Sequence, residues 1–331
     1  MPVKDEVRKA LHDNREEFLS GEQLSEKLGV SRAAIWKAVK ALREEGLCIE
    51  AVTNKGYILS SSSELVSEGM LCRAIKGHCR QGHVHVFDVT DSTNLQAKKL
   101  VLDRMASHGS LVFANQQTAG RGRLGRDFHS PRNGIYMSIV IEPEFDMSHS
   151  GLVTVSAAAA VAEALHQICG IDAQIKWVND VYVEGRKVCG ILTEAMTDFE
   201  TGAIEALIIG IGINTNTDDF PEKIRGIAGA VSLEDAKAKA ALIAKVSELV
   251  LENVQQIGKR HPAFMKIYRD RSMVLGRDIT VYKGKYREDP TVEIGGTKAK
   301  AMAIDDEGGL LVKYRNGKEE NLTTGEVSVR V

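Results

Sequence analysis

The chain has 331 residues, with 43 Lys and Arg against 45 Asp and Glu, and therefore a formal net charge of −2. Hydrophobic residues make up 43% of it, which is typical of a folded, water-soluble protein. At about 100–200 residues per domain, the length allows two or three domains. The near-zero charge excludes a globally basic nucleic-acid binder, so any nucleic-acid site has to be local.

The amino terminus and the apolar segments predict a cytoplasmic protein with no membrane span. Residues 1–6 are charged and lack the apolar core of a secretory signal. The apolar stretch 156–165 is short and is interrupted by Glu163. The five cysteines are widely spaced without a C-x-x-C pair, and no Cys or carboxylate near His83 and His85 completes a metal set. We therefore predict no disulfide framework and no metal site built from protein ligands.

Residues 18–59 have the pattern of two helices followed by a hairpin. Ser20 or Gly21 can open the first helix, Gly29 can end it, and Ser31 can cap the second. The second helix has an apolar face with the spacing i, i+4, i+7, formed by Ile35, Val39 and Leu42. Residues 48–52 and 57–59 flank the turn residues 53–56, as two short antiparallel strands do.

This layout resembles a winged helix-turn-helix domain, in which a basic, capped helix enters the major groove of DNA. The candidate DNA-binding residues are Ser31, Arg32, Trp36, Lys37 and Lys40. Trp36 is ambiguous, because a large aromatic side chain packs as often as it touches DNA. The alternative is a small helical protein-interaction module, since residues 1–60 are about charge-balanced.

The polar run 60–64 is the clearest linker. We predict three domains: a winged helix-turn-helix domain with its linker at 1–63, a catalytic domain at 64–271 and a small β-domain at 272–331. The central region mixes strands and helices, with candidate strands at 84–89, 110–115, 135–142, 173–177, 187–196 and 206–211 and candidate helices at 95–105, 152–168 and 236–257.

Because several of these strands follow one another through short turns, we predict an α+β mixed sheet rather than a doubly wound parallel sheet. Four further segments, 279–282, 297–304, 310–314 and 327–331, are separated by turn residues at 308–309 and 316–317. They predict a small antiparallel barrel of the SH3-like type.

The strongest chemical signal is the loop Gln117–Arg126, with the sequence QTAGRGRLGR. Its glycines leave backbone N–H groups open to an anion, and its arginines add fork-shaped cationic donors, so the loop suits a phosphate or a carboxylate. It matches G-x-G-x-x-G formally, but residues 130–134 break the crossover helix that a dinucleotide-binding fold requires. A Walker P-loop is excluded because no G-K-[ST] follows. An arginine-bearing surface loop without a ligand is the remaining alternative.

This loop and four further motifs, DSTN at 91–94, KWVND at 176–180, RKVCGIL at 186–192 and GIGIN at 210–214, resemble those of the biotin protein ligases. Together with the amino-terminal winged helix, the resemblance extends over essentially the whole chain and points to the bifunctional members that also repress transcription. It implies a two-step acyl transfer. The biotin carboxylate attacks the α-phosphate of ATP, and biotinyl-5′-AMP then acylates a lysine of a biotin carrier domain of acetyl-CoA carboxylase.

The resemblance also implies roles for individual residues. The catalytic residues would be Arg121, Arg123, Lys187 and Asp180, with Asp180 orienting the attacking lysine. Biotin would be bound by Ser92, Thr93, Asn94, Gln117, Arg121, Gly122, Arg123 and Lys187. ATP and the adenylate would be bound by Arg123, Lys176, Asn179 and Asn214, with Mg²⁺ as the cofactor. Local helix capping remains an alternative for Ser92 and Thr93, and a purely structural turn remains one for Asn214.

Two positions depart from the family pattern. Val178 stands where the family usually has Pro, which removes a fixed φ angle from the turn. Phe128 stands where many members have Trp, so ring packing is kept while any indole N–H bond is lost. Neither change alters a charged group.

The two functions in one chain imply regulation. If biotinyl-5′-AMP promotes a homodimer, two winged helices meet a two-fold operator, and DNA affinity then rises with biotin and ATP together but not with either alone. Two other functions compete: a lipoate or octanoate transferase, which lacks the winged helix, and a non-catalytic regulator that only senses a small molecule. The retained Arg121, Arg123, Lys187 and Asn214 argue against the second.

Overall fold

A computed structural model describes residues 3–14, 17–44, 49–53, 55–59, 65–75, 83–197, 203–216, 220–283, 296–323 and 327–330. The chain divides into two units, one of Met1–Met70 with Glu234–Lys239 and one of Leu71–Leu233 with Ala240–Val331. The predicted linker at 60–64 lies outside the described residues. The three predicted domain ranges stay a prediction.

The amino-terminal unit contains three helices and a hairpin. The elements are α1 (Val3–Asp13), α2 (Gly21–Leu28), α3 (Arg32–Glu44), β1 (Ile49–Val52) and β2 (Gly56–Leu59). β1 and β2 pair antiparallel, with Ile49 opposite Leu59. The predicted order of two helices and a hairpin is confirmed, whereas α1 was not predicted.

The ends of α2 and α3 follow from local hydrogen bonding. Ser20 Oγ accepts from Gln23 N at 3.0 Å, and Gln23 Oε1 accepts from Ser20 N at 2.7 Å, which forms a capping box. Gly29 ends α2 with φ of +65°, and Ser31 Oγ accepts from Ala34 N at 3.2 Å at the start of α3. The predicted apolar face of α3 is buried, and consists of Ile35, Val39 and Leu42.

Between residues 65 and 277 the chain alternates strands and helices. The strands are β3 (Val84–Thr90), β4 (Leu111–Gln117), β5 (Ile135–Ile141), β6 (Gln174–Lys176), β7 (Asp180–Val183), β8 (Arg186–Thr197) and β9 (Ile204–Ile213). The helices are α4 (Glu68–Ala74), α5 (Thr93–Leu102), α6 (Gly151–Cys169), α7 (Glu222–Arg225), α8 (Ala236–Val254) and α9 (Ala263–Asp270). Every strand predicted here is confirmed, while β7, α4, α7 and α9 were not predicted.

The seven strands form one sheet in the order β3-β4-β5-β9-β8-β7-β6. β3 and β4 are parallel and are joined through α5, while the other neighbours are antiparallel. The predicted α+β mixed sheet is therefore confirmed. All seven residues of β5 are buried, which requires that both faces of the sheet are covered at its centre.

Among the described residues, α6 is the one helix that is long and apolar enough to cross a membrane by length and composition. Twelve of its residues, including the run 157–162, are buried inside the second unit. Asn253 Nδ2 of α8 donates to Ser156 O of α6 at 3.1 Å, so polar groups at this contact are also paired within the protein. Burial of this kind is typical of the core helix of a globular domain.

The carboxy-terminal part forms a separate sheet of five strands. They are β10 (Asp278–Lys283), β11 (Thr297–Ile304), β12 (Leu310–Tyr314), β13 (Glu319–Leu322) and β14 (Val327–Arg330), in the order β13-β12-β11-β10-β14. All neighbours are antiparallel, as predicted. The closure of this sheet into an SH3-like barrel is not confirmed and stays a prediction. β13 was not predicted because its sequence, EENL, carries the signature of a polar turn.

Candidate active site

The turn between β3 and α5 places residues 91–94 beside Gln117 at the end of β4. Asp91 Oδ1 accepts from Ser92 N at 2.6 Å and from Gln96 Nε2 at 2.8 Å, which holds the turn. Thr93 N donates to Gln117 Oε1 at 2.8 Å. Ser92 occupies the N-cap position of α5, but its buried side chain makes no capping hydrogen bond with the described residues. Its hydroxyl is therefore not used for helix capping.

Asn94 connects this turn to the centre of the sheet. Its Nδ2 donates to Glu194 Oε2 at 2.7 Å, and its Oδ1 accepts from Ser138 Oγ at 2.6 Å. Gly210, on β9, makes room for this side chain, because a Cβ atom there would lie 2.3 Å from Asn94 Oδ1. The sheet thus has a glycine where the amide comes closest to the backbone.

The glycine-arginine loop is a closed hairpin between the antiparallel strands β4 and β5. Gly122 N donates to Arg126 O at 2.7 Å, and Phe128 N donates to Gly120 O at 2.9 Å. A Cβ atom at Gly120 would lie 2.6 Å from Phe128 O, so only glycine fits at the base of this hairpin. A hairpin in place of a crossover helix agrees with the rejection of a dinucleotide-binding fold.

Phe128 anchors the carboxy-terminal end of the loop on the sheet. Its ring lies against Gly212 and Gly190, which face each other across β9 and β8. A Cβ atom would lie 2.5 Å from the ring at Gly212 and 3.1 Å at Gly190. The ring also meets Tyr136 edge to face, with 6.4 Å between centroids. The expected ring packing at Phe128 is therefore present.

Beside this hairpin lies a charged cluster. Arg123 Nη1 donates to Asn179 Oδ1 at 3.3 Å, and Asn179 Nδ2 donates to Ile191 O at 2.8 Å. Lys187 Nζ lies 2.6 Å from Asp180 Oδ1, and both side chains are mostly withdrawn from solvent. The structure thus brings together four of the predicted residues, from three separate sequence motifs.

Burial shapes the electrostatics of this cluster. Withdrawal from solvent lowers the pKa of Arg123, while the negative charge of Asp180 acts in the opposite direction. The pKa of Cys189, which neighbours this cluster on β8, is raised by burial, and Lys187 opposes that shift only in part. The thiol of Cys189 is therefore neutral at physiological pH and is not a nucleophile.

The turn 177–180 carries Asn179 and Asp180 and is held from two sides. Tyr268 OH, on α9, donates to Val178 O at 3.0 Å. Trp177 Nε1 donates to Gly308 O at 3.0 Å, at the tip of the β11–β12 hairpin. The peptide bond between Trp177 and Val178 is cis. The carboxy-terminal sheet therefore contacts the turn that presents the catalytic candidates.

Three predicted residues have surroundings of a different kind. Asn214 Nδ2 donates to Gly229 O at 3.0 Å and lies 3.5 Å from Lys187 O, so its amide braces the backbone next to Lys187. Lys176 Nζ lies 5.7 Å from the centre of the Tyr182 ring. Arg121 is exposed, and its backbone pairs with that of Asp127 in an isolated antiparallel β-bridge.

The described residues contain no group of three or more His, Cys, Asp or Glu side chains that could hold a metal ion by themselves. Mg²⁺ at nucleotide sites keeps several waters and binds through one or two carboxylates and the substrate phosphates. The carboxylate of Asp180 and the amide oxygen of the adjacent Asn179 are oxygen ligands of the kind and number that such a Mg²⁺ ion needs from the protein.

The DNA-binding candidates lie on or beside α3 in the amino-terminal unit. Lys37 is exposed, and Trp36 exposes 57% of its surface, so this ring is not part of the core. Lys40 Nζ lies 5.7 Å from the centre of the Trp36 ring. Arg32 forms a solvent-exposed ion pair with Glu22 at 2.7 Å.

Comparison with known proteins gives a match for the central region and another for the amino-terminal region. The Biotin/lipoate A/B protein ligase family matches residues 86–214, and an HTH domain matches residues 5–58. The chain is 36% identical over 304 residues to the bifunctional ligase/repressor BirA of Bacillus subtilis, covering 91% of each chain. It is 31% identical over 323 residues to that of Escherichia coli, covering 95% of this chain and 94% of the other.

The chain belongs to the family of bifunctional biotin ligase/repressors. A solved structure of the biotin protein ligase from Aquifex aeolicus in complex with biotin and ATP is 28% identical, with a TM-score of 0.60. It covers 75% of this chain and 98% of its own. A biotin protein ligase and a helix-turn-helix repressor domain are thus combined in one chain.

Several residues around the ligase site were not predicted from the sequence. They are Lys98, Ser130, Ser138, Glu194 and Tyr268. Each stands outside the recognisable motifs, and each reaches the site through a contact between residues distant in sequence. Periodicity could identify Ser138 only as a polar residue in an otherwise apolar strand.

Proposed function

We propose that the ligase activates biotin with ATP at the cluster of Arg123, Asn179, Asp180 and Lys187, and then biotinylates a lysine of the biotin carrier domain of acetyl-CoA carboxylase. The observation that carries this proposal is the convergence of two cations, Arg123 and Lys187, on the adjacent residues Asn179 and Asp180. The residue roles rest on this geometry and on the family's chemistry.

In the first step, the biotin carboxylate forms a bond to the α-phosphorus of ATP, and pyrophosphate leaves. Both reactants are anionic, so negative charge has to be neutralised as they approach. Arg123 offers a planar fork for carboxylate or phosphate oxygens, and Lys187 offers a compact point charge. Arg121 adds a further cationic donor on the exposed side of the loop.

In the second step, the ε-amine of the acceptor lysine attacks the carbonyl carbon of biotinyl-5′-AMP, and AMP leaves. An amine attacks only when it is unprotonated, so a nearby carboxylate helps by accepting a hydrogen bond from it or by taking its proton. We assign this role to Asp180, because its carboxylate lies within the cluster beside Lys187. Its ion pair with Lys187 has to loosen when Lys187 turns to the adenylate.

The remaining assignments concern substrates and cofactor. Ser92, Thr93, Asn94 and Gln117 would surround the ureido ring of biotin, because hydroxyl and amide groups satisfy its donors and acceptor. Lys176 and Asn214 would lie near the adenylate, with Asn214 acting through the backbone at Lys187. Mg²⁺ would enter with the ATP phosphates and supply further positive charge, with Asp180 or Asn179 as an oxygen ligand.

The repressor function would use Ser31, Arg32, Trp36, Lys37 and Lys40 on operator DNA. A homodimer promoted by biotinyl-5′-AMP would place two α3 helices on a two-fold operator, giving an affinity that each monomer lacks. Acetyl-CoA carboxylase acts in the cytoplasm in this scheme, and we propose the same location for this chain.

Biotin-dependent exchange of radioactive pyrophosphate into ATP tests the substrate, the chemistry and the site together. We expect exchange by the full chain that requires biotin, and loss of at least 100-fold in Arg123→Ala. Arg315→Ala, in an exposed turn of the carboxy-terminal sheet, is the matched control and should exchange like the unmodified chain. A folded chain that does not exchange would instead support a non-catalytic sensor.

The lipoate or octanoate transferase alternative is decided by the same assay. Lipoate in place of biotin should give no exchange, because a dithiolane ring lacks the urea that the pocket is proposed to recognise. Exchange with lipoate that equals exchange with biotin would overturn the substrate assignment and leave the adenylation chemistry standing.

A further inference from the structure

A chain of six polar side chains runs through the sheet beside the proposed biotin pocket. Its members are Lys98, Glu194, Asn94, Ser138, Thr93 and Gln117. They come from α5, β8, β5 and the end of β4. Asn94, Thr93 and Ser138 are buried, so each of their polar atoms needs a partner within the protein.

At one end of this series of hydrogen bonds, the carboxylate of Glu194 acts only as an acceptor. Glu194 accepts from Lys98 Nζ at 2.7 Å through Oε1 and from Asn94 Nδ2 at 2.7 Å through Oε2. Burial alone raises the pKa of Glu194, but the hydrogen bonds from Lys98 and Asn94, together with the positive charges of Lys98 and Arg121, outweigh it and leave the pKa below its ordinary value. The carboxylate is therefore ionised at neutral pH and only accepts hydrogen bonds.

This end determines which way the Asn94 amide points. Two acceptors face Nδ2, because the carbonyl of Leu192 lies 3.4 Å away in addition to Glu194. Oδ1 is consequently turned to Ser138, whose hydroxyl donates to it at 2.6 Å. Ser138 has one proton, so its oxygen is left to accept from the Thr93 hydroxyl at 2.8 Å.

At the other end, the peptide N–H of Thr93 acts only as a donor. The peptide N–H of Thr93 donates to Gln117 Oε1 at 2.8 Å, which turns Gln117 Nε2 to Ser130 Oγ at 3.0 Å. The Thr93 hydroxyl lies 2.8 Å from Ser138 Oγ and 3.2 Å from Gln117 Oε1. Because Ser138 gives its one proton to Asn94, the shorter of these two contacts takes the Thr93 proton. The directions between the two ends then follow from the carboxylate, which only accepts, and the peptide N–H, which only donates. These side chains therefore keep one fixed pattern of donors and acceptors at the proposed biotin pocket.

We propose that Glu194, supported by Lys98, is a positioning residue that sets the hydrogen-bond direction of Asn94, Ser138 and Thr93 for recognition of the ureido ring of biotin. This inference rests on the proposed function. A cyclic urea has two N–H donors and one carbonyl acceptor, so a pocket of fixed direction binds it without reorganising. Glu194 does not touch the substrate and acts through Asn94.

Glu194→Gln tests the proposal because glutamine keeps the shape but can donate as well as accept. Only the longer contact of Nδ2 with the Leu192 carbonyl, at 3.4 Å, then still orients the Asn94 amide, and in part of the population the pattern of donors and acceptors is reversed. In pyrophosphate exchange by the full chain, we expect KM for biotin to rise about tenfold, with kcat and KM for ATP changed by less than about twofold. Glu319→Gln, in an exposed ion pair with Lys313, is the control and should change neither constant.

A swap of the two groups separates direction from mere packing. In Asn94→Asp alone, two carboxylates face each other, and we expect a larger rise in KM for biotin than in Glu194→Gln. In the double variant N94D/E194Q, the glutamine donates to the aspartate while the aspartate still accepts from Ser138. KM for biotin in the double variant should therefore be lower than in Asn94→Asp.

The proposal is overturned if Glu194→Gln leaves KM for biotin within about twofold of the unmodified chain, or if the two substitutions combine additively. If Glu194→Gln does not fold, Ser138→Ala interrupts the same series of hydrogen bonds with only a small loss of volume. An unchanged KM for biotin in Ser138→Ala would also overturn the proposal. If the unmodified protein shows no exchange, the proposed function itself is overturned. This outcome is distinct from a failure of the Glu194 proposal, in which the unmodified protein exchanges and the variants keep its KM for biotin.

Discussion

Trp177 Nε1 donates a hydrogen bond to the carbonyl of Gly308 at 3.0 Å, and joins the turn before Asn179 to the carboxy-terminal sheet. Trp177 is buried, and Gly308 lies at the tip of the β11–β12 hairpin, with φ of +78°. The same hairpin is held by Arg269, whose Nη2 donates to Asp306 Oδ1 at 2.6 Å. The carboxy-terminal sheet therefore supports the ligase site by direct contact.

Trp177→Phe removes this donor while keeping an aromatic ring. We expect the free energy of unfolding to fall by about 1–3 kcal/mol, because the carbonyl of Gly308 is left without its buried donor. A displaced turn should also lower kcat for pyrophosphate exchange. Urea unfolding and exchange assays measure both effects. Trp36→Phe, at an exposed ring in the amino-terminal unit, should alter neither, and equal losses in the two variants would contradict a specific role for Trp177.

Gly212→Ala tests the contact between Phe128 and the sheet. The new Cβ atom would lie 2.5 Å from the Phe128 ring, so the ring and the end of the glycine-arginine loop have to move. We expect a large loss of exchange activity, measured against Gly226→Ala, where no atom lies within 4 Å of the new Cβ. Adding Phe128→Leu to Gly212→Ala should restore part of the activity. A Gly212→Ala enzyme with full activity would show that this contact does not position the loop.

Lys187→Met and Asp180→Asn should affect different steps. In the proposed mechanism Lys187 neutralises the developing charge, so its loss should slow pyrophosphate exchange by about 100- to 1000-fold. Asp180→Asn should reduce transfer from preformed biotinyl-5′-AMP to a biotin carrier domain more than it reduces exchange, since the carboxylate assists the amine. Single-turnover transfer and exchange assays on both variants give the comparison. Equal effects on the two steps would argue that the ion pair acts only as a structural unit.

The pH dependence of stability should reflect the titration of the partly buried phenol of Tyr182. Burial, and secondarily the charge of Asp180, raise the pKa of Tyr182 from 10.0 to about 12. The folded protein holds this proton more tightly than the unfolded chain, so the stabilisation is complete below pH 10 and is lost as the pH rises to about 12. Urea unfolding of Tyr182→Phe over this range should show a shallower decline than the unmodified chain. Parallel declines would contradict the assignment.

Repression should depend on ligand and on the basic face of α3. On a duplex selected from a random DNA pool, we expect affinity to rise with biotin and ATP together and not with either alone. Lys37→Ala should reduce the slope of log affinity against log salt by about 1, because one phosphate contact is lost. Lys27→Ala, on the exposed side of α2, is the control. If the affinity for DNA does not change with biotin or ATP, DNA binding is not coupled to the ligase reaction.

Much of the fold could be predicted because its signals are local. The cap at Ser20, the glycine at Gly29 and the apolar spacing of α3 lie within a few residues of the elements they define. β7, α9 and β13 were missed because they are short and depend on tertiary contacts, such as the buried Tyr268 of α9. The amphipathic pattern of α9 is too brief to stand out from its surroundings.

The sequence by itself determined the chemistry of this protein, because the glycine-arginine loop and the motifs around Asn94, Asn179 and Lys187 each keep their residues together along the chain. Only the tertiary structure decided which groups hold them in place. Glu194 reaches Asn94 across 100 residues and Gly308 reaches Trp177 across 131. Contacts of this kind depend on strand register and hairpin position, which are set by the packing of the whole unit and by no local pattern.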